Sequence, residues 1–261
     1  MSWMRRATPP HPMLLQRRVA ARAASAMGTK LACEGLGVLL VVLVGCGAAV
    51  LGASVVGQAG VALAFGCALA AATLAFGPIS GAHLNPAVSF AMFLAGRVGV
   101  GQMLMYWSAQ FIGAVAGAAL LAVISGQAEA LGQNGWGPGF LGGYGLQAAT
   151  VFELAMSTLF ILVALLATAP DTTTHGAPNN ANLPAAFSLG ATLAGIHLVG
   201  LTITGVSVNP ARSLGPALLV GGEALQQLWL FFWAPMAGAV LAVLIYRGLL
   251  GRPGGPPQTR L

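Results

Sequence analysis

Charged residues are scarce in this chain. Only 6% of its 261 residues are Asp, Glu, Lys or Arg, whereas 57% are hydrophobic. A soluble domain carries roughly a quarter charged residues, so most of this protein's surface must face something less polar than water. The scarcity of charge therefore argues against a soluble globular domain.

The placement of the few charges argues against a nucleic-acid-binding protein, despite a formal net charge of +6. Ten of the 11 basic residues lie before the first apolar run, between the second and third runs, or at and beyond the end of the last. An even number of crossings puts both chain ends on one side, which the positive-inside rule makes cytoplasmic. The exception is Arg212, and a lone charge at membrane depth is a candidate functional residue.

Cysteine is also rare. Cys33, Cys46 and Cys67 all fall within apolar runs, where we expect small core residues rather than a disulfide framework. The sequence shows no metal-ligand spacing, no nucleophile constellation and no phosphate-binding glycine loop. We therefore expect no enzymatic activity, no metal and no cofactor.

What the chain does contain is a series of six apolar runs. Each is close to the ~20 residues that cross a ~30 Å hydrocarbon core as a helix. We predict one all-α membrane domain over residues 31–250, a basic cytoplasmic tail over 1–30 and a cytoplasmic tail over 251–261. A transit peptide is the alternative for the first tail, which is rich in Arg, Ala and Pro. The predicted spans are approximately 31–51, 58–77, 103–125, 148–169, 184–204 and 228–250.

The sequence also repeats itself. The segment GAHLNPAVSFAMFLAG at 81–96 has a counterpart in GVSVNPARSLGPALLVGG at 205–222. Each half, about 31–125 and 148–250, contains two spans, a short NPA segment and a third span. Because three full spans is an odd number, the second half must be inverted in the membrane. Inverted repeats place a functional site near the bilayer midplane, where the halves meet.

The two NPA motifs carry the chemistry of the predicted site. They are Asn85-Pro86-Ala87 and Asn209-Pro210-Ala211. Asn is a favoured helix cap and Pro a favoured first helical residue, and the helix after each motif covers only about half the membrane thickness. Two such half-helices from opposite faces would point their positive ends and their Asn N–H donors at one central spot. That arrangement suits a neutral hydrogen-bonding solute such as water and opposes the passage of cations and protons.

The duplicated NPA motif, with NPARS in the second copy, resembles the aquaporin (major intrinsic protein) family. The similarity extends over all six spans and includes VALAFG at 61–66, VNPARS at 208–213 and ALQQLW at 224–229. The resemblance implies six transmembrane helices with two opposed half-helices, a passive water channel and a homotetramer with one pore per subunit. It also implies a multi-pass location in the plasma (bacterial inner) membrane, in contact with lipid and with no nucleic-acid partner.

The family's narrow selectivity filter matches four positions of this chain: Phe65, His197, Val206 and Arg212. The resemblance implies that His197 and Arg212 donate hydrogen bonds to a passing water molecule, and that the guanidinium repels cations. Val206 departs from the Thr or Cys common at its position. Since Val is close to Thr in size, we expect a pore of similar width with a drier wall.

Two buried acids, Glu34 and Glu153, lie early in the first span of each half. The resemblance implies that each accepts backbone N–H groups and braces a pore loop, and a proton relay is the alternative. Two other functions remain open: a glycerol or small neutral solute facilitator of the same family, and a proton-coupled secondary transporter. The glycerol branch usually has Trp in place of Phe65 and a small residue in place of His197.

Overall fold

The structure is a computed structural model, and it describes residues 12–169 and 182–250. The described residues form helices joined by loops, without a β-strand. The nine α-helices are α1 (Pro12–Val41), α2 (Ala53–Ser80), α3 (Pro86–Leu94), α4 (Val100–Ser125), α5 (Leu146–Ala167), α6 (Asn182–Thr204), α7 (Pro210–Val220), α8 (Gly222–Gln226) and α9 (Leu228–Leu250). The expected all-α membrane fold is confirmed.

The first two spans form one continuous helical hairpin. Two wide π-helical turns, Val42–Cys46 and Ala48–Gly52, connect α1 to α2. The stretch Ser25–Ser80 is 56 residues long, or ~84 Å at 1.5 Å per residue, far more than one crossing requires. It reverses at Gly57, whose φ of 63° and ψ of −176° suit glycine. A 2.7 Å hydrogen bond from Ser80 Oγ to Glu34 shows that the two arms run side by side.

This hairpin reconciles the number of apolar helices with six crossings. Five helical stretches among the described residues are long and apolar enough to span a membrane, and Ser25–Ser80 supplies two crossings. The predicted gap at 52–57 contains the reversal at Gly57 but remains largely helical. At the N-terminus, α1 begins at Pro12, so helix extends into the predicted tail over 1–30. Residues 1–11 and 251–261 of the two predicted tails lie outside the described residues.

The two NPA segments form short helices, as their length predicted. Helix α3 has 9 residues and α7 has 11, which at 1.5 Å per residue is ~14 and ~17 Å. Neither could cross a ~30 Å core alone. The two helices contact each other, and they also contact α4 and α9, so both half-helices are enclosed by the long spans.

Bare backbone at glycine allows the long helices to approach closely. A Cβ on Gly66 would lie 2.5 Å from the Gly190 carbonyl oxygen, and one on Gly190 would lie 2.6 Å from the Gly66 carbonyl oxygen. This reciprocal contact joins α2 to α6, the second span of each half. Close packing at small residues is how helices associate in a membrane, where burial from water supplies little driving force. The two halves therefore meet along a seam that has no room for a side chain.

Candidate pore

Each half-helix begins with an asparagine cap. The Asn85 side-chain oxygen accepts from Ala87 N at 2.8 Å, and the Asn209 side-chain oxygen accepts from Ala211 N at 3.0 Å. A proline follows each Asn at the first helical position, where its missing N–H is not needed. Each cap thus uses its oxygen on its own helix and leaves its amide NH2 group free to face elsewhere.

The two amide groups are crossed between the halves of the chain. Asn85 Nδ2 donates to the Val208 carbonyl at 2.7 Å, and Asn209 Nδ2 donates to the Leu84 carbonyl at 2.9 Å. An amide NH2 carries two N–H donors, so one donor of each Asn remains after this bond. Both residues line the same cavity. The structure therefore brings the two NPA motifs together and fixes the orientation of both amides.

The loops before the two motifs share an unusual backbone. Ala82 and Leu84 have φ of 44° and 52°, and Val206 and Val208 have φ of 53° and 47°. These positions lie three and one residues before each Asn. A positive φ is costly for any side-chain-bearing residue, most of all for a β-branched one, at about 1–3 kcal/mol each. Such a conformation persists only where the surroundings hold it in place.

The two buried acids hold these loops. Glu34 accepts from the backbone N–H of His83 at 2.9 Å and of Leu84 at 2.7 Å. Glu153 accepts from the backbone N–H of Ser207 at 2.8 Å and of Val208 at 2.9 Å. Both acids are fully buried. In each half, one carboxylate therefore satisfies two backbone donors that would otherwise have no partner at membrane depth.

Several polar residues of this network are not singled out by sequence reasoning. Ser80 and Thr204 each donate a hydroxyl to the acid of their own half, at 2.7 and 2.6 Å, and Gln110 donates to Glu34 at 2.8 Å. A signal existed in the repeat, since Ser80 and Thr204 both stand five residues before the motif Asn. Aligning the halves residue by residue would have found this pair, but not Gln110.

Three of the four predicted filter residues meet at one end of the cavity. The rings of Phe65 and His197 stack with centroids 4.1 Å apart, and the Arg212 guanidinium lies over the Phe65 ring, 4.9 Å from its centroid. All three side chains are buried. An aromatic ring, an imidazole and a cation therefore form one compact cluster.

Hydrogen bonds fix the two polar members of this cluster. Arg212 donates to the carbonyls of Gly132 at 2.7 Å and Gly205 at 3.3 Å, while its Nε–H has no protein partner. His197 Nδ1 lies 2.9 Å from the Leu193 carbonyl, which can only accept, so this nitrogen carries the proton. In the neutral ring, the unpartnered Nε2 is then an acceptor. A neutral His197 ring would therefore accept a hydrogen bond from water at Nε2, whereas the family resemblance implies a donor.

Val206 occupies a different environment from the other three. It is fully buried, its backbone N–H donates to Thr204 Oγ1 at 3.1 Å, and its side chain packs in the main apolar cluster. Val206 is not among the residues that line the cavities described next.

Three cavities adjoin one another in series, as their shared lining residues show. The central cavity is lined by both motif Asn residues, and it shares Phe65 and Arg212 with a wide cavity of about 150 Å³. It shares His83 and Phe160 with a narrow end cavity on its other side. The central and end cavities are about 20 Å³ each, and about 10–15 Å³ suffices for one water molecule. Each of these two cavities therefore has room for about one water molecule.

Known proteins are similar to this chain over most of its length. A family model described as "Major intrinsic protein" matches residues 21–246. Aquaporin Z of Brucella melitensis is 42% identical over 235 residues, covering 87% of this chain and 100% of that protein. Aquaporin Z of Rhodopseudomonas palustris is 42% identical, covering 85% of this chain and 93% of that protein.

A solved structure supports the fold independently. The X-ray structure of the aquaglyceroporin from Plasmodium falciparum superposes with a TM-score of 0.74 at 21% identity, covering 86% of this chain and 97% of that one. At that identity the likeness concerns the fold alone. Together with the family model and the relatives above, it leads to one conclusion: this chain is a multi-pass integral membrane protein that belongs to the major intrinsic protein family.

Proposed function

We propose that this protein is a passive water channel driven by osmotic gradients. The observation that carries the proposal is the pair of crossed asparagines at a cavity with room for about one water molecule. The water channels among its relatives, named aquaporin Z, are similar over nearly their whole length. A member of this family is a channel and not an enzyme, so the residues discussed here bind and orient the permeant without reacting with it.

The asparagines orient water at the centre of the path. Asn85 and Asn209 each commit one N–H to the backbone of the opposite half and keep one for the permeant. A water molecule that accepts from both has its lone pairs occupied, so its protons point outward along the file. Such a water cannot relay a proton in one direction, and the positive ends of α3 and α7 oppose cations.

The cluster of Phe65, His197 and Arg212 selects the permeant. Arg212 offers its free Nε–H and His197 its free Nε2, which gives one donor and one acceptor to a passing water. The guanidinium repels cations, and the stacked rings occupy the space that a carbon chain would need. A glycerol facilitator is therefore the less favoured function.

A proton-coupled transporter is disfavoured by the position of the acids. Glu34 and Glu153 are fully buried, and neither lines any of the three cavities. Every carboxylate oxygen of the two residues already accepts a hydrogen bond. Both acids are therefore proposed as braces of the pore loops and not as a relay.

The protein is further proposed to form a homotetramer in the bacterial inner membrane, with both termini cytoplasmic. Large apolar side chains such as Val55, Ile112 and Val123 are exposed on the single chain, as a lipid-facing or subunit-facing surface requires. The inside orientation rests on the basic residues near the chain ends and on Arg97 between the second and third spans. Protease protection of tags at either end of the chain would test this topology.

Osmotic swelling and shrinking of proteoliposomes, followed by stopped-flow light scattering, tests the main proposal. We expect fast water flow with a low activation energy and little glycerol flow. Comparable flow of water and glycerol would refute the assignment to water. Flow that depends on a proton gradient would refute the channel mechanism itself.

A further inference from the structure

Phe65 rests against the bare backbone of Gly45. Gly45 lies in the wide turn Val42–Cys46 and is buried. A Cβ on Gly45 would lie 2.6 Å from Phe65 Cγ and nearer still to Cδ1 and Cε1 of the same ring. Real Cβ atoms essentially never come so close to another heavy atom, so the ring occupies space that any other residue at position 45 would fill.

His197 and Arg212 also restrict the movement of the Phe65 ring. His197 stacks on it at 4.1 Å, and the Arg212 guanidinium lies 4.9 Å from its centroid. The open space beside the ring is that of the central and wide cavities, both of which Phe65 lines. A ring displaced from Gly45 would therefore move into the path.

We propose that Gly45 is a positioning residue that sets the width of the path at the filter, by letting the Phe65 ring lie against the backbone of the turn Val42–Cys46. This inference rests on the proposed function, because it treats Phe65 as a wall of the water path. The wide turn fits such a role, since π-helical turns within longer helices are frequent at functional sites. Side-chain size at position 45 would then control the filter without any contact with the permeant.

The chain offers a matched control two residues away. Gly47 is also buried, and it has ordinary helical angles, φ −59° and ψ −43°. A Cβ there would lie 3.6 Å from Leu121 Cδ1, an ordinary contact. Substituting either glycine by Ala changes helix propensity alike, so a difference between the two variants reports the contact with Phe65.

The first experiment compares Gly45→Ala with Gly47→Ala in proteoliposomes of equal protein density. We expect Gly45→Ala to lower water permeability at least about tenfold and to raise the activation energy of water flow. The central cavity has room for about one water molecule, and the added methyl group would push the Phe65 ring into it. Gly47→Ala should retain wild-type flow within about twofold, because it adds only an ordinary contact. Equal, undiminished flow through both variants would overturn the positioning role.

A second comparison keeps the proposal testable if Gly45→Ala does not fold. Phe65→Leu opens the filter and should raise glycerol permeability. In the double variant Gly45→Ala with Phe65→Leu, the added methyl group has the space that the ring vacated. We expect water flow well above that of Gly45→Ala alone and glycerol flow below that of Phe65→Leu.

The outcomes separate the two proposals. Glycerol flow through the double variant equal to that of Phe65→Leu would overturn the positioning role, whatever Gly45→Ala does alone. A wild-type protein that conducts no water would instead refute the proposed function. If Gly45 had only a structural role, the double variant would differ from Phe65→Leu in thermal stability but would have the same ratio of water to glycerol flow. That result would equally overturn the proposal.

Discussion

Replacing Glu153 tests whether a buried carboxylate holds the second pore loop. Its Oε1 accepts from Ser207 N and its Oε2 accepts from Val208 N, at 2.8 and 2.9 Å. In Glu153→Gln, one of these positions becomes an NH2 group, which cannot accept. Whichever way the amide turns, one backbone N–H loses its partner in a fully buried site.

The expected cost follows from that single orphaned donor. A buried donor left without an acceptor costs about 1–3 kcal/mol, so Glu153→Gln should be destabilised by about that amount. Glu153→Ala leaves both backbone donors without a partner and opens a cavity, so its cost should be at least twice as large, about 2–6 kcal/mol. The loop also carries the positive φ of Val206 and Val208, and without its brace that strained backbone should relax.

Two measurements check this prediction. The melting temperature of the purified protein in detergent should decrease in the order wild type, Glu153→Gln, Glu153→Ala. Water permeability should decrease in the same order, because the loop carries Asn209. Glu129→Gln removes the same charge from an exposed loop residue and should stay within about 0.5 kcal/mol of wild type. The brace would be refuted if Glu153→Gln matched this control in both stability and water flow.

Two further predictions concern mercury and the seam between the halves. We expect weak inhibition of wild-type water flow by mercurials, because no cysteine lines the three cavities and Cys46 is buried; strong inhibition that disappears in Cys46→Ser would contradict this. Gly190→Ala should lower thermal stability by about 1–3 kcal/mol through overpacking, because its Cβ would lie 2.6 Å from the Gly66 carbonyl oxygen. Gly195→Ala, in the same helix with nothing within 4 Å of its Cβ, is the control, and equal melting of the two variants would argue against the tight seam.

The sequence predicted the fold well because the fold depends on long-range regularities. Apolar runs of membrane length mark the spans, and the repeated NPA motif marks both half-helices and their inversion. The hairpin at Gly57 was harder to predict, because residues 52–57 lie between two predicted spans yet remain largely helical. Hydropathy reports where a chain can leave the membrane and not whether its helix is interrupted there.

The site was predicted less completely, for reasons of side-chain geometry. Phe65, His197 and Arg212 meet as expected, whereas Val206 is buried and is not among the residues that line the central cavity. Gln110 is one of several polar residues in the largely apolar helix α4, and nothing in the sequence reveals that it donates to Glu34. Likewise Gly45 is one of 37 glycines, and only the position of the Phe65 ring distinguishes it.

The hydrogen bonds of the two asparagines join residues of different halves, so neither bond can form until the second half has been synthesised. Asn85 and its acceptor Val208 are separated by 123 residues, and a ribosome adds about 5–20 residues per second. For roughly 6–25 seconds, the first half-helix is therefore made while its partner carbonyl does not yet exist. Until the second half arrives, the amide of Asn85 needs another acceptor at membrane depth. A nascent chain of this protein therefore has to keep its first half-helix near water, or within the insertion machinery, until Val208 of its 261 residues has been added.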